Sequence, residues 1–212
     1  MDEGRVGQVV ERLAIERSHY VLDLGCGNGH HSRLIIGMGI RQLIDLDIAL
    51  ADLRKLAFQS RVHSPYPYTM VCSFVCGDAL HLPFSDNSFD RVICSLVFYL
   101  LPLQQALVEL HRVVKPGGMA YLRVPMLSWG RVVRALRELS LYSACQLFNG
   151  FYYASIGVQF RNPFLRHDRW ACYIPRGRYE QAILKAGFQI ERLEIDYPNP
   201  GILSIDTWVR KA

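Results

Sequence analysis

The chain reads as an α/β protein. The predicted architecture is a doubly wound seven-stranded sheet, mostly parallel with an antiparallel C-terminal strand, with helices on both faces and a lid insertion after strand five. Three observations predict it. Over the first 125 residues, apolar stretches rich in β-branched residues alternate with helical patterns, which gives a parallel sheet built from right-handed crossovers. The stretch "VLDLGCGNGHH", Val21 to His31, runs an apolar strand straight into a loop with glycine at every second position. Near the C-terminus two alternating strands flank the turn residues "YPNPG" and form an antiparallel pair.

The elements follow in order. Residues 3–19, "EGRVGQVVERLAIERSH", mix acidic, basic and apolar residues as an amphipathic helix does, and are not a signal-peptide core. "YVLDLG", "RQLIDLD", "TMVCSFVCGD", "FDRVICSLV" and "GMAYLRVP" read as buried strands. Helices fall at 31–38, 48–59 and 102–114, the last opened by Pro102 and closed before Pro116-Gly117-Gly118. After Pro125 the rhythm breaks. Ser128 to Phe148 reads as a helix with an apolar stripe and Arg131, Arg134 and Arg137 opposite, ended by Asn149-Gly150. An irregular aromatic stretch, "FYYASIGVQFRNPFLRHDRWACYIP", comes next. Helix "RGRYEQAILKAGF", with Gly187 where a C-cap belongs, precedes "FQIERLEID" and "GILSIDTWVRKA". Residues 1–212 therefore read as a single domain: a core over 1–125, a lid over 126–175, and a helix and strand pair over 176–212.

With 212 residues the chain can bury one sizeable core. The six cysteines (Cys26, Cys72, Cys76, Cys94, Cys145, Cys172) show no CxxC pair and no metal-ligand spacing. They read as buried, reduced thiols of a cytoplasmic protein, and no metal is expected. Net charge is +5 but uneven: residues 1–114 carry −2 and residues 115–212 carry +7. Within the second half, 123–178 holds nine arginines and no lysine. That half either prefers anionic company or stays soluble by being basic.

The glycine loop narrows the ligand. A dinucleotide fingerprint needs G-x-G-x-x-G. Here glycines fall at Gly25, Gly27 and Gly29, and His30 stands where the third fingerprint glycine belongs. No G-x-x-x-x-G-K-[ST] occurs, which excludes a phosphate-cradling P-loop. Asp23, two places before the first glycine, repels a pyrophosphate at a helix N-terminus and suits a ligand with a positive end. S-adenosylmethionine (SAM) is such a ligand, with an ammonium, a sulfonium and no phosphate.

Four motifs stand in sequence: Asp23-Leu24-Gly25-Cys26-Gly27-Asn28-Gly29; the acidic Asp47 of "LIDLDIA", 22 positions after Gly25; "CGDALHLPFSDNSFDRVI"; and "ALVELHRVVKPGG". In this order they resemble the class I, Rossmann-like SAM-dependent methyltransferases, and within them the methyltransferase type 11 group. The resemblance covers residues 18–125, with a looser echo from 175 onward. It implies SAM as cofactor and S-adenosylhomocysteine (SAH) as product. Asp23, Gly25, Cys26, Gly27 and Gly29 form the first motif. Asp47 would accept from both ribose hydroxyls, with Ile48 following it, and Asp45 is the competing candidate. Asp78 would accept from the adenine amino group and Ala79 would offer its N–H to the ring. Ser95 and Leu96 would contact the cofactor at the end of strand four.

The other singled-out residues carry plainer readings. Asp86 and Asp90 suit a turn and a strand start, His30 and His31 suit capping or packing, and His81 suits either the cofactor or an exposed loop. Methyl transfer from a sulfonium is an in-line displacement, so alignment and exclusion of water come first. A base is needed only where the acceptor must lose a proton. This chain has Tyr99-Leu100 where many relatives carry a histidine pair, so Tyr99 is the acceptor-facing candidate. His167, with Asp168 as its orienting partner, is a second candidate base. The aromatics and leucines of 126–175 suit a hydrophobic or aromatic small molecule. Arg161, Arg166, Arg169, Arg176 and Arg178 suit a carboxylate or phosphate on it. The expected function is therefore O-, N- or C-methylation of a small acceptor in biosynthesis, by a monomer or homodimer. Two alternatives are a tRNA or other nucleic-acid methyltransferase, served by the basic half, and a membrane-surface lipid or quinone methyltransferase. The latter would touch the membrane peripherally through the 128–148 helix.

Overall fold

The computed structural model describes residues 3–37, 40, 42–63, 72–127, 133, 137, 141–157, 159, 161, 171–199 and 202–212. In chain order the elements are α1 (Glu3–Arg12), β1 (Tyr20–Leu24), α2 (His30–Gly37), β2 (Gln42–Asp47), α3 (Leu50–His63), β3 (Cys72–Cys76) and β4 (Phe89–Ser95). A 3-10 turn at Phe98–Leu100 leads to α4 (Leu103–Val113) and β5 (Val114–Pro125). Then come α5 (Leu141–Ile156), α6 (Arg176–Lys185), β6 (Phe188–Asn199) and β7 (Ile202–Lys211). The strands form one seven-stranded sheet in the order β3-β2-β1-β4-β5-β7-β6. It is mostly parallel, with antiparallel strands at its C-terminal end.

The chain divides into two compact units. The first comprises Met1–Ser95, Glu109–Tyr121 and Arg210–Ala212. β1, β2 and β4 are buried strands of this unit, as apolar runs in parallel sheets are: Val21, Leu22, Leu24, Leu43, Leu46, Val92 and Ile93 have almost no exposed surface. Val6, Val9 and Val10 supply the buried stripe of α1, and Leu13, just past its end, is buried with them. That helix stops at Arg12, short of the predicted His19, because the chain turns through Ala14 in the left-handed region (φ 46°). β5 starts four residues earlier than predicted. Lys115 Nζ reaches Asp90 Oδ2 at 2.8 Å, and a Cβ on Gly118 would stand 2.8 Å from the Lys115 carbonyl and 3.1 Å from that of Asp90. The Lys-Pro-Gly-Gly segment thus lies flat against the start of β4 rather than forming a free turn.

The second unit comprises Leu96–Val108 and Leu122–Val209. Its buried charge is Arg123, whose Nη1 donates to both oxygens of Asp206 at 2.9 and 3.0 Å and whose Nη2 donates to Asp196 at 2.7 Å. The predicted helix 128–148 needs correction. Most of 128–140 lies outside the described residues, and α5 runs straight through Asn149-Gly150 to Ile156. Asn149 is not a terminator: its Nδ2 donates to the Ala171 carbonyl at 2.8 Å. Gly150 is there for clearance, since a Cβ would stand 2.5 Å from the Tyr173 carbonyl oxygen. The first seven residues of the predicted irregular stretch, 151–157, are correspondingly the end of this helix and its closing Gly157 (φ 80°). Gly187 (φ 96°) closes α6 as predicted, its N–H donating to Leu184. Five of the six cysteines are buried thiols, whereas Cys76, at the end of β3, is exposed.

Candidate functional site

Parallel register assembles the site. β1 pairs with β2 so that Asp23 lies opposite Asp45, and with β4 so that Asp23 lies opposite Ile93. β2 pairs with β3 so that Asp47 lies opposite Cys76. The glycine loop after β1, Asp47 closing β2, Asp78 after β3 and Ser95 closing β4 therefore gather at one carboxyl edge, where open α/β sheets bind ligands. All of them belong to the first unit.

The loop is tied down by its neighbours. Gly25 and Cys26 donate to the Leu46 carbonyl at 2.7 and 3.1 Å, and Gly29 donates back to Cys26 at 2.8 Å. The Gly27 N–H donates to Asp47 Oδ2 at 2.9 Å, and Ala49 donates to Asp47 Oδ1 at 2.9 Å. Gly27 and Gly29 adopt φ of 52° and 72°, open to glycine at little cost. At Gly29 a Cβ would meet Leu56 of α3 at 2.5 Å, whereas above Gly27 it would meet nothing within 4 Å. Gly29 admits the helix, and Gly27 leaves room for a ligand.

Asp47 is half-buried, and each of its oxygens keeps a lone pair beyond the backbone donor it already serves. Ile48 beyond it is exposed. Asp78 Oδ1 accepts from Leu80 N at 2.9 Å, a turn closed by its own side chain. Its other oxygen lies 3.8 Å from Nδ1 of the exposed His81. Ala79 is buried. Ser95 carries a buried hydroxyl with no partner, a donor in wait at the strand end. Cys26 turns its side chain inward onto Leu53 and Leu56, leaving its backbone to the loop. In the second unit, Leu96 has φ 59° and donates to the Arg123 carbonyl at 2.9 Å. Tyr99 sits in the 3-10 turn and its carbonyl accepts from Cys172 at 3.0 Å. His167 and Asp168 lie outside the described residues.

Sequence reasoning missed what lies under the loop. Ser32 on α2 is fully buried, with Oγ 3.1 Å from Asp23 Oδ2 and 2.7 Å from Asp45 Oδ1. Burial and, for Asp45, the neighbouring Asp23 push both carboxyls up to about 7. Asp45 thus has no exposed surface to offer a ribose, while Asp47 holds the edge. The strand register that creates this cluster pairs Leu22-Asp23-Leu24 with Ile44-Asp45-Leu46 residue for residue. The arginines also divide. Arg178 donates to the Ala154 carbonyl at 3.1 Å, Arg176 pairs with Glu180 at 2.8 Å, Arg161 is exposed, and Arg166 and Arg169 lie outside the described residues.

Loop, edge carboxylates and orphaned Ser95 hydroxyl fit SAM, a cationic nucleoside without phosphate. The comparisons agree. Residues 22–122 match the family described as "Methyltransferase domain". Methyltransferase GfsG of Streptomyces halstedii is 31% identical over 120 residues, 52% of this chain and 39% of that protein. The chain spans less than half the length of the curated relatives it matches. Among solved structures, the [4+2]-cyclase SpnF superposes with a TM-score of 0.70 at 16% identity, covering 99% of this chain and 81% of that one. The Burkholderia thailandensis 1,6-didemethyltoxoflavin-N1-methyltransferase, holding 1,6-didemethyltoxoflavin and SAH, superposes with a TM-score of 0.67 at 14% identity, covering 99% and 77%. These two likenesses establish the fold, and the family match gives the cofactor class: over residues 22–122 the chain carries a methyltransferase domain of the class I, Rossmann-like, SAM-dependent kind.

Proposed function

We propose that the protein transfers the methyl group of SAM to a small hydrophobic or aromatic acceptor, neutral or anionic, at oxygen, nitrogen or carbon. The observation that carries this reading is Asp47, fixed by two backbone donors beside open space over Gly27. A carboxylate so placed binds hydroxyls and rejects phosphate. Bound SAM supplies an electrophilic methyl on a sulfonium. The chain's own part is to hold and align: Asp47 takes the ribose, Asp78 the adenine, and the loop backbone the amino-acid end. Tyr99 is the residue of this chain assigned to face the acceptor, and His167 the second candidate for taking a proton. Support for a small acceptor comes from the aromatic and leucine-rich composition of 126–175 and from the bound 1,6-didemethyltoxoflavin of the solved neighbour. The test is SAH formation from SAM with a panel of phenols, quinones and N-heterocycles, run beside bulk tRNA. Turnover on a small molecule is expected; turnover on tRNA alone overturns the reading.

One observation favours a second reading, methylation of a lipid or quinone at a membrane surface. α5 has no charged residue in 16. It buries Gln146 and Asn149 while Leu141, Phe148, Phe151 and Ile156 are exposed. Exposed arginines stand on either side in sequence, at 137 and 161. No described helix is long and apolar enough to cross a membrane, so the contact would be interfacial. Co-sedimentation with phosphatidylglycerol vesicles but not phosphatidylcholine vesicles would favour it, and absence from both pellets would remove it.

A further inference from the structure

The cluster beneath the glycine loop has one proton too few. Asp23 and Asp45 face each other across β1 and β2, 1% and 0% exposed. The Ser32 hydroxyl stands between them, at 3.1 Å from Asp23 Oδ2 and 2.7 Å from Asp45 Oδ1. A hydroxyl donates one hydrogen bond, so it satisfies one carboxylate and can only accept from the other. Two ionised carboxylates would leave the second contact repulsive, in a place water does not reach. Asp45 Oδ2 is buried with no nitrogen or oxygen donor on it, and the Cys72 thiol beside Asp45 is only a weak donor. One extra proton on Asp45 resolves the arrangement: Asp45 donates to Ser32 Oγ, and Ser32 donates to Asp23.

We propose that Asp45 is a positioning residue for the cofactor, keeping one proton shared with Asp23 through Ser32 in the ligand-free protein and releasing it to solvent when the ammonium of a bound amino-acid end seats on the loop above. This rests on the SAM reading of the loop. A ligand cation near the end of β1 favours the fully ionised pair, and the ionised pair in turn favours the cation; by linkage, affinity rises with pH. Burial and the proximity of the two carboxyls bring the exchange to about pH 7. The other titratable groups facing the pair are His31 on α2, with Nδ1 3.9 Å from Asp23 Oδ2, Asp47 at the end of β2, Cys26 in the loop and Cys72 on β3. Burial pushes both thiols far above neutrality, so they stay protonated throughout. His31 is the rival source of a proton.

The experiment is calorimetric titration of the full chain with SAH at pH 7 in two buffers of different ionisation enthalpy, for wild type, Asp45→Asn and His31→Gln. Wild type is expected to release on the order of half a proton per SAH bound, so that affinity rises about threefold per pH unit around neutrality. Asp45→Asn is expected to abolish the release and His31→Gln to keep it. Wild type binding SAH with identical enthalpies in both buffers overturns the proposal, whether or not the variants fold. So does a release that survives Asp45→Asn and vanishes in His31→Gln. SAH failing to bind at all is a different result, which removes the cofactor reading beneath it.

Discussion

Asp47 serves the backbone and, in this account, the ligand at once. Its two oxygens take the Gly27 and Ala49 N–H groups, both at 2.9 Å. Asp47→Ala therefore costs charge-assisted hydrogen bonds on both sides, each worth about 1.5–3 kcal/mol. SAH affinity should fall about 10- to 100-fold, and the melting temperature should fall too. Affinity by calorimetry and unfolding by scanning calorimetry check the two parts, and unchanged affinity contradicts the ribose assignment. Asp78 also closes its own turn through Leu80, but on a half-exposed loop, so Asp78→Ala should weaken SAH with a smaller loss of stability. Tyr99→Phe separates proton transfer from alignment: wild-type turnover leaves Tyr99 only the second. Asp23, Gly25, Gly27, Gly29, Asp47 and Asp78 stand out in the sequence through the glycine spacing and the family resemblance, and the strand register brings them to one sheet edge. Ser32 does not stand out, because its role depends on which strands are neighbours and in what register.

At the scale of elements, the β–α alternation of the first 125 residues was legible because buried parallel strands are uniformly apolar and short. The helix end at Asn149-Gly150 was misread. Those residues usually terminate helices, but tertiary packing uses them here to bring the α5 backbone against the segment around Ala171 and Tyr173. The consequence is testable. Gly150→Ala, helix-favouring by propensity, should destabilise the protein by about 1–3 kcal/mol through overpacking against the Tyr173 carbonyl. Denaturant unfolding measures it, and a stabilised variant would mean that α5 does not pack this closely.

For the whole molecule, the basic half is less available than its +7 suggests. Arg123 is buried on Asp206 and Asp196, and Arg176 and Arg178 bind within the protein. Removing the Arg123 charge as Arg123→Ala should cost about 3–5 kcal/mol, because two carboxylates lose a buried cationic partner. Stability should also depend on pH through Asp23 and Asp45. With one proton shared between them, the pair keeps that proton up to about pH 7 when folded, against a carboxyl value of 3.8 when unfolded, so the folded state binds one proton more between those values. Unfolding free energy contributed by this pair is therefore greatest near pH 4, falls as pH rises towards 7 and levels off above it. Urea titrations of wild type and Asp45→Asn from pH 5 to 8 should show that fall in the first and its loss in the second.

The central claim is that the loop after β1 and the carboxylates at the sheet edge hold a phosphate-free nucleoside. Direct titration with SAH and, separately, with NADH tests it most simply. Saturable one-to-one binding of SAH with no heat from NADH is the predicted result. Tight binding of NADH, with neither SAM nor SAH bound, would contradict it.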